Sequence, residues 1–227
     1  GRRVSLTSLH RRRAVCENVR VLAEIVRLTD SQIPAAATAL AHAFHDDPLM
    51  RYAIPDPYER ARLLPPMYER MIRFGMLAGE VYATADVPEG VAIWLPPNAK
   101  WTRENIEASG MHEFATLIGN GAYQRYREVV SQEWQARLRE IPGPGWYLFI
   151  LGVEPRVQRR GLGGALMRPI LERADTEQVV CFLETENELN VAFYLKQSFE
   201  VVVDGEEAGH SGVRFWTFSR PKPSRSR

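Results

Sequence analysis

The stretch from Trp146 to Leu166 constrains the fold more than any other part of the sequence. Trp146 to Val153 is an unbroken apolar run, as expected for a central strand buried on both faces, and Pro155 ends it. Three glycines follow, at the point where a helical pattern begins that continues to Asp175. A buried strand that turns through glycines into a helix is typical of α/β domains.

The rest of the chain predicts an α/β fold with helices on both faces of a mixed sheet. Strands are predicted at 21–28, 81–84, 91–95, 146–153, 179–184, 199–203 and 213–218. Helices are predicted at 33–44, 57–78, 103–118, 122–140, 161–175 and 190–197, with a break or kink at Pro65-Pro66. We expect one domain at 21–220 with a helical insertion at 98–145, between the third and fourth strands. A disordered basic tail at 1–20 and a second tail at 221–227 would flank it.

Charge, hydropathy and cysteine content exclude several classes of partner. The net charge of +1 predicts no nucleic-acid partner, and the absence of an apolar run of roughly 18 residues predicts no membrane partner. Two distant cysteines, Cys16 and Cys181, make a poor disulfide framework and favour a cytoplasmic location, with Cys181 a buried, inert thiol. His42, His45 and His112 lack metal-ligand spacing, so no metal is predicted.

The glycine turn has the composition of an anion site. Gly161, Gly163 and Gly164 let backbone N–H groups approach a ligand, and the first N–H groups of a helix have no internal partner. The helix dipole adds positive potential there, which suits a phosphate or pyrophosphate. Nearby positive charge comes from three arginines: Arg156, Arg159 and Arg160.

Other glycine-rich turns fit less well. A P-loop needs Lys-Ser/Thr after its last glycine, where this chain has Ala165-Leu166. A dinucleotide-binding fingerprint needs a glycine at position 166. A turn that only joins a strand to a helix stays open as the structural alternative.

Gln158-x-x-Gly161-x-Gly163, after a strand that ends in Val153-x-Pro155, resembles the signature of the GNAT (GCN5-related N-acetyltransferase) superfamily. The resemblance implies a mostly antiparallel central sheet and acetyl-CoA as cofactor. It implies that Leu151 and Val153 bind the pantetheine arm and thioester. It also implies a pyrophosphate site formed by Gln158 and the backbone of Arg159, Arg160, Gly161, Leu162, Gly163 and Gly164. Downstream, Phe182-Leu183-Glu184-Thr185 and Asn190-x-x-Phe193-Tyr194 resemble the puromycin N-acetyltransferase branch.

Acyl transfer to an amine needs a base, an oxyanion donor and an acid. Tyr194 is the candidate acid for the leaving thiolate, and Asn190, four residues earlier on the same helix face, is the candidate pantetheine ligand. Glu184 is the candidate base, acting through water, and the N–H of Val153 is the candidate oxyanion donor. A core role for Tyr194 and a solvent-facing Glu184 are the alternatives. Glu186 and Glu188 are expected to be solvated loop charges.

The acceptor side is predicted from fewer residues. Asp46 and Asp47 are candidates to attract a cationic amine, although capping would explain them equally well. Five apolar residues could line the acceptor pocket: Tyr52, Trp94, Trp101, Met111 and Trp146.

The predicted function is acetyl transfer to a primary amine of a small molecule, antibiotic-like or amino-acid-like. A non-catalytic acyl-CoA-binding module and an acetyltransferase of protein N-termini or lysines are the alternatives. The oligomeric state stays open, with a homodimer as one possible arrangement.

Overall fold

The computed structural model describes residues 23–221. The predicted N-terminal tail, residues 21 and 22 of the first predicted strand, and 222–227 of the predicted C-terminal tail lie outside the described residues. Within 23–221, none of the helices is both long and apolar enough to cross a membrane.

A seven-stranded sheet forms the centre of the described part of the chain, in the order β1-β2-β3-β4-β5-β7-β6. Every neighbouring pair is antiparallel except β4 and β5, which are parallel. The predicted mixed, mostly antiparallel sheet is therefore confirmed. The strands are β1 (Ile25–Arg27), β2 (Glu80–Thr84), β3 (Gly90–Leu95), β4 (Trp146–Val153), β5 (Cys181–Thr185), β6 (Glu200–Glu207) and β7 (Arg214–Arg220).

Eight α-helices accompany the sheet within the described residues. They are α1 (Ile33–Ala43), α2 (Pro48–Ala53), α3 (Pro57–Ala78), α4 (Arg103–Ser109), α5 (Phe114–Ile118), α6 (Asn120–Glu140), α7 (Leu162–Glu177) and α8 (Val191–Lys196). The helical insertion predicted between the third and fourth strands consists of α4, α5 and α6. The sequence did not predict α2, whose first turn is capped by the Asp47 carboxylate, which accepts from the N–H of Leu49 at 3.0 Å.

The core lies on both faces of the sheet, as alternation along β3 shows. Val91 and Ile93 pack in the cluster that includes the buried sides of α1 and α3. Ala92 and Trp94 point the other way and pack in the cluster that includes α7. All four side chains are fully buried. The prediction of helices on both faces is therefore confirmed.

Two local predictions need correction. A break or kink was predicted at Pro65-Pro66, and the break is absent because α3 is continuous from Pro57 to Ala78. A proline inside a helix costs about 3 kcal/mol, but Leu64 and Met67 bury completely beside this pair, and such packing can outweigh that cost.

The strand β4 is not buried on both faces either. Its side chains alternate between buried and half-buried from Trp146 to Val153. The half-buried ones, Tyr147, Phe149, Leu151 and Val153, face two cavities.

Candidate active site

The parallel strands β4 and β5 separate soon after they begin. They pair only at Trp146 with Cys181 and at Tyr147 with Phe182. On the other side of β4, the N–H of Glu154 donates to the carbonyl of Glu89 at 2.7 Å. Because hydrogen bonding alternates along an antiparallel ladder, the N–H and C=O groups of Leu151 and Val153 point toward β5. The gap between the strands leaves that edge of β4 without a partner strand.

The larger cavity, which we call the glycine-turn cleft, has a volume of about 590 Å³. It lies between the end of β4, the turn before α7, and α8. Eight of the predicted cofactor residues line it: Leu151, Val153, Gln158, Arg159, Gly161, Leu162, Gly163 and Asn190. Arg160 and Gly164 do not. Its volume falls within the roughly 300–1,000 Å³ typical of ligand sites.

The turn into α7 has the geometry of an anion site. Gly161 precedes the helix with φ of 88°, in the left-handed region that glycine adopts without strain. The first helical bond of α7 runs from the N–H of Ala165 to the carbonyl of Gly161 at 3.1 Å. The N–H groups of residues 162, 163 and 164 thus make no backbone hydrogen bond among the described residues, and they lie at the positive end of a 16-residue helix.

Gly163 also has a packing reason to be glycine. A Cβ at this position would lie 3.0 Å from Cζ of Phe193, on α8. The half-buried ring of Phe193 lines the glycine-turn cleft. The close approach of α7 to α8 and the approach of a ligand therefore both favour glycine.

The side chain of Gln158 braces the turn. Its Nε2 donates to the carbonyl of Val153 at 3.0 Å, which ties the loop to the last residue of β4. This amide thus already has a protein acceptor, and the residue contributes to the cleft by holding the loop in shape.

The smaller cavity, of about 110 Å³, we call the acidic pocket. Four carboxyl groups line it: Asp47, Glu133, Glu184 and Glu186. They come from the start of α2, from α6, from β5 and from the residues just after β5. None of the four is within ion-pair distance of a cationic side chain among the described residues.

Both carboxylate oxygens of Glu184 are buried and lack a hydrogen-bond partner in the described part of the chain. Burial raises the pKa of Glu184 to about 8, with Glu186 adding to the rise and Tyr147 and Arg137 opposing it. A carboxyl group with this pKa can accept a proton near neutral pH.

Sequence reasoning missed two of the four carboxyl groups. Glu186, expected as a solvated loop charge, instead lines the acidic pocket, where its charge adds to the burial that raises the pKa of Glu133. Glu186 lies two residues after Glu184, and side chains with this spacing along a strand point to the same side. This spacing could have indicated that the two acids lie together. Tyr126, Val130 and Glu133 lie on one face of α6 and all line the acidic pocket. A single acid among the apolar residues of that face could have indicated that Glu133 is a pocket residue.

Tyr194 and Asn190 lie where the two cavities meet. Five residues line both cavities: Phe44, Asp47, Leu151, Asn190 and Tyr194. Burial, and after it the charges of Glu186 and Asp47, raise the pKa of Tyr194, so its hydroxyl keeps its proton at neutral pH. Asn190 donates from Nδ2 to Oγ1 of Thr185 at 3.1 Å, which joins the start of α8 to the end of β5.

The two predicted acceptor aspartates differ in environment. Asp47 is 8% exposed, and burial, reinforced by Glu186, raises its pKa well above the usual range. The side chain of Asp46 is 80% exposed and pairs with His45 at 3.1 Å and Arg60 at 3.4 Å. Asp47 therefore both caps α2 and lines the pocket.

The five apolar residues predicted for the acceptor side do not line the acidic pocket. Trp94 and Trp146 are fully buried in the core, and the hydroxyl of Tyr52 donates to Glu128 at 2.8 Å. Met111 and Trp101 pack elsewhere, Trp101 against Phe74 with ring centroids 4.4 Å apart. The aromatic residues that do line the pocket are Phe44, Tyr68, Tyr126, Tyr147, Phe149 and Tyr194.

Residues 115–199 match the model of the family described as the Acetyltransferase (GNAT) family. Over these residues the chain is similar to GNAT-family acetyltransferases. The matched range contains α6, the glycine turn and α8. Members of the GNAT family use acyl-CoA as the acyl donor.

Other acetyltransferases resemble the chain beyond this range. An uncharacterized N-acetyltransferase of Schizosaccharomyces pombe is 27% identical over 166 residues, which are 70% of this chain and 67% of that protein. The crystal structure of histone acetyltransferase HPA2 and related acetyltransferase from Corynebacterium glutamicum has a TM-score of 0.64 at 19% identity, covering 90% of this chain and 99% of that one. A polyamine N-acetyltransferase of Drosophila melanogaster, which catalyses the formation of N-acetylagmatine, has a TM-score of 0.53 at 16% identity, covering 87% of this chain and all of that one (100%). At these identities the structural matches establish the GNAT fold.

Proposed function

We propose that the protein transfers an acetyl group from acetyl-CoA directly to a primary amine of a small molecule. The observation that carries this proposal is the shared wall of the two cavities. Asn190 and Tyr194 border both the glycine-turn cleft and the acidic pocket. A donor in the first cavity and an amine in the second would therefore meet at a tyrosine hydroxyl.

The glycine-turn cleft fits coenzyme A in three respects. Its volume suits a long ligand, the start of α7 offers free N–H groups to a pyrophosphate, and Arg159 supplies positive charge. The unpaired edge of β4 at Leu151 and Val153 offers backbone groups to an amide-containing arm. When bound, the cofactor supplies the acetyl group as a thioester.

Three groups of the chain would carry the chemistry. Glu184 removes a proton from the ammonium through water, since an amine of pKa about 10 is otherwise protonated at neutral pH. The N–H of Val153 donates to the thioester oxygen as negative charge develops there. Tyr194, which keeps its proton at neutral pH, donates it to the departing sulfur.

The size of the acidic pocket favours a small acceptor over a protein chain. About 110 Å³, lined by four carboxyl groups, suits a compact cation. The likeness to the puromycin branch suggests an aminonucleoside, which is bulkier than the compact cation that this pocket favours. The Drosophila polyamine enzyme shares the fold, which adds support for a small amine. The presence of Glu184, Asn190 and Tyr194 around these cavities favours an enzyme over a non-catalytic binding module.

The proposal is tested by measuring free coenzyme A release from acetyl-CoA with a panel of amines. The panel contains amino acids, diamines, polyamines, an aminonucleoside, and peptides with free N-termini or lysines. Release with a small amine supports the proposal. Release with peptides alone would favour the protein acetyltransferase, and acetyl-CoA binding without release would favour the non-catalytic module.

A further inference from the structure

We infer that the acidic pocket selects an acceptor with two cationic groups, a short diamine, and that Glu133 on the inserted helix α6 binds the cation that does not react. This inference deepens the proposed function and rests on it. It names both a substrate class and a specificity residue.

The first argument is charge balance. Four carboxyl groups line the pocket, and no ion pair compensates any of them within the described residues. Among the described residues, the cationic side chain that lowers the pKa of Glu184 is Arg137. Its guanidinium donates to the carbonyl of Gly143 at 2.8 Å and lies 4.3 Å from the ring centroid of Phe182, and it forms no ion pair with any of the four carboxyl groups. A bound cation favours the ionised form of these carboxyl groups, and a single ammonium could pair with only part of the four.

The second argument is the state of Glu133 itself. The residue is 7% exposed, its side chain lines the pocket, and its Oε1 has no hydrogen-bond partner in the described part of the chain. The great majority of buried polar atoms in proteins are hydrogen-bonded, so an unpartnered carboxylate oxygen on a residue that lines a cavity points to a ligand that donates hydrogen bonds. An ammonium group is such a donor.

The third argument is the spread of the carboxyl groups along the pocket. Asp47 lines both cavities and so lies at the junction where the acetyl group would arrive, whereas Glu133 lines the acidic pocket alone. Within residues 23–221, no group of three or more His, Cys, Asp or Glu side chains is placed to hold a metal ion. The carboxylates thus suit two separated organic cations. The reacting amine would lie near Asp47 and Tyr194, and the second cation near Glu133 with Glu186 beside it.

The experiment compares two probes of equal length, 1,4-diaminobutane and 1-aminobutane, by kcat/KM at saturating acetyl-CoA. For the wild type we expect the diamine to be preferred about 10- to 100-fold, the range of a hydrogen-bonded charge pair. In Glu133→Gln the ratio should fall toward one, mainly through a higher KM for the diamine. The matched control is Glu188→Gln, an exposed acid near the same pocket, which should leave the ratio unchanged.

A second measurement does not depend on turnover. Calorimetry of 1,4-diaminobutane binding to the protein saturated with coenzyme A should show a Kd about tenfold weaker in Glu133→Gln than in the wild type. If Glu133→Gln does not fold, Glu186→Gln is measured instead, with the same reduction of the diamine preference expected.

The outcomes separate the two proposals. Equal kcat/KM values for both probes, or an undiminished ratio in the folded Glu133→Gln or Glu186→Gln protein, would overturn the inference and leave the proposed function standing. Failure of every amine in the panel to release coenzyme A would overturn the proposed function, and the inference with it.

Discussion

The ring of Tyr194 is held between two other aromatic side chains, with centroids 6.1 Å from Phe199 and 5.4 Å from Phe218. Its hydroxyl can therefore be removed without loss of packing. We expect Tyr194→Phe to lower kcat about 100-fold, the typical contribution of a general acid, and to leave the KM for acetyl-CoA nearly unchanged. Tyr126→Phe is the matched control, because Tyr126 lines the acidic pocket without reaching the glycine-turn cleft. Equal kcat values for the two variants would exclude the acid role.

Glu184 should determine how activity depends on pH. A base acts in its ionised form, and burial raises the pKa of this carboxyl group to about 8. We expect kcat/KM to rise roughly tenfold per pH unit below pH 8 and to level off above it. Glu184→Gln should lower kcat/KM and remove this inflection. An unchanged profile in the variant would assign the base to another group.

The positions of single residues could be predicted where their spacing along a helix was informative. Asn190 and Tyr194 are four residues apart and were expected on one helix face, and both lie where the two cavities meet. Glu133 could not be predicted as a pocket residue, because its role depends on how α6 packs against α2, β6 and β7. The orientation of Gln158 toward Val153 likewise depends on the fold of the loop.

The proposed pyrophosphate site at the turn before α7 can be tested by removing a charge from the turn. The exposed side chain of Arg159 lines the glycine-turn cleft, whereas Arg168, also exposed, lies further along α7 and outside it. We expect Arg159→Ala to weaken acetyl-CoA binding about tenfold, the contribution of one charge-assisted hydrogen bond. Arg168→Ala should bind acetyl-CoA as the wild type does. Equal Kd values by calorimetry would remove Arg159 from the site.

The inserted helix α6 is fixed to its surroundings by Glu128. This carboxylate accepts from the hydroxyl of Tyr52 at 2.8 Å and from the N–H of His210 at 3.2 Å, which links α6 to α2 and to the loop between β6 and β7. We expect Glu128→Ala to lower the free energy of unfolding by about 1–2 kcal/mol. Gln135→Ala, an exposed change on the same helix, should have little effect in the same denaturant titration. A similar loss in both variants would contradict the linking role.

Elements with strong local signals were predicted well. Strand β4 was placed at its observed bounds, and the hairpin of β2 and β3 formed around the expected turn. Local rules were insufficient where packing dominates, as in α3, which continues through Pro65-Pro66. They also failed on the exposure of β4, because a strand that faces cavities has the same apolar sequence as one buried on both sides.

For the whole molecule, the acidic pocket predicts that alkaline pH is destabilising. The folded pKa of Glu184, about 8, is above its usual value of 4.5, so the folded state binds more protons between these values. The contribution of Glu184 to the free energy of unfolding is then greatest below about pH 4.5 and falls as the pH rises toward 8. We expect Glu184→Gln to be more stable than the wild type at pH 8.5 by about 1–2 kcal/mol. At pH 5 the difference should nearly vanish.

Thermal unfolding measures this effect. A difference of about 1–2 kcal/mol corresponds to a Tm about 2–8 °C higher for the variant at pH 8.5 in a chain of this size. If the Tm difference between the wild type and Glu184→Gln is the same at pH 5 and at pH 8.5, the Glu184 carboxyl group is solvated in the folded protein.

The shared wall of the two cavities has a consequence for ligand design. Because five residues line both the glycine-turn cleft and the acidic pocket, the two cavities adjoin, and one molecule could occupy both at once. A short amine joined covalently to coenzyme A through its sulfur would lose translational freedom only once on binding. Such a conjugate should bind far more tightly than either half, and it should displace acetyl-CoA and the amine with equal effectiveness.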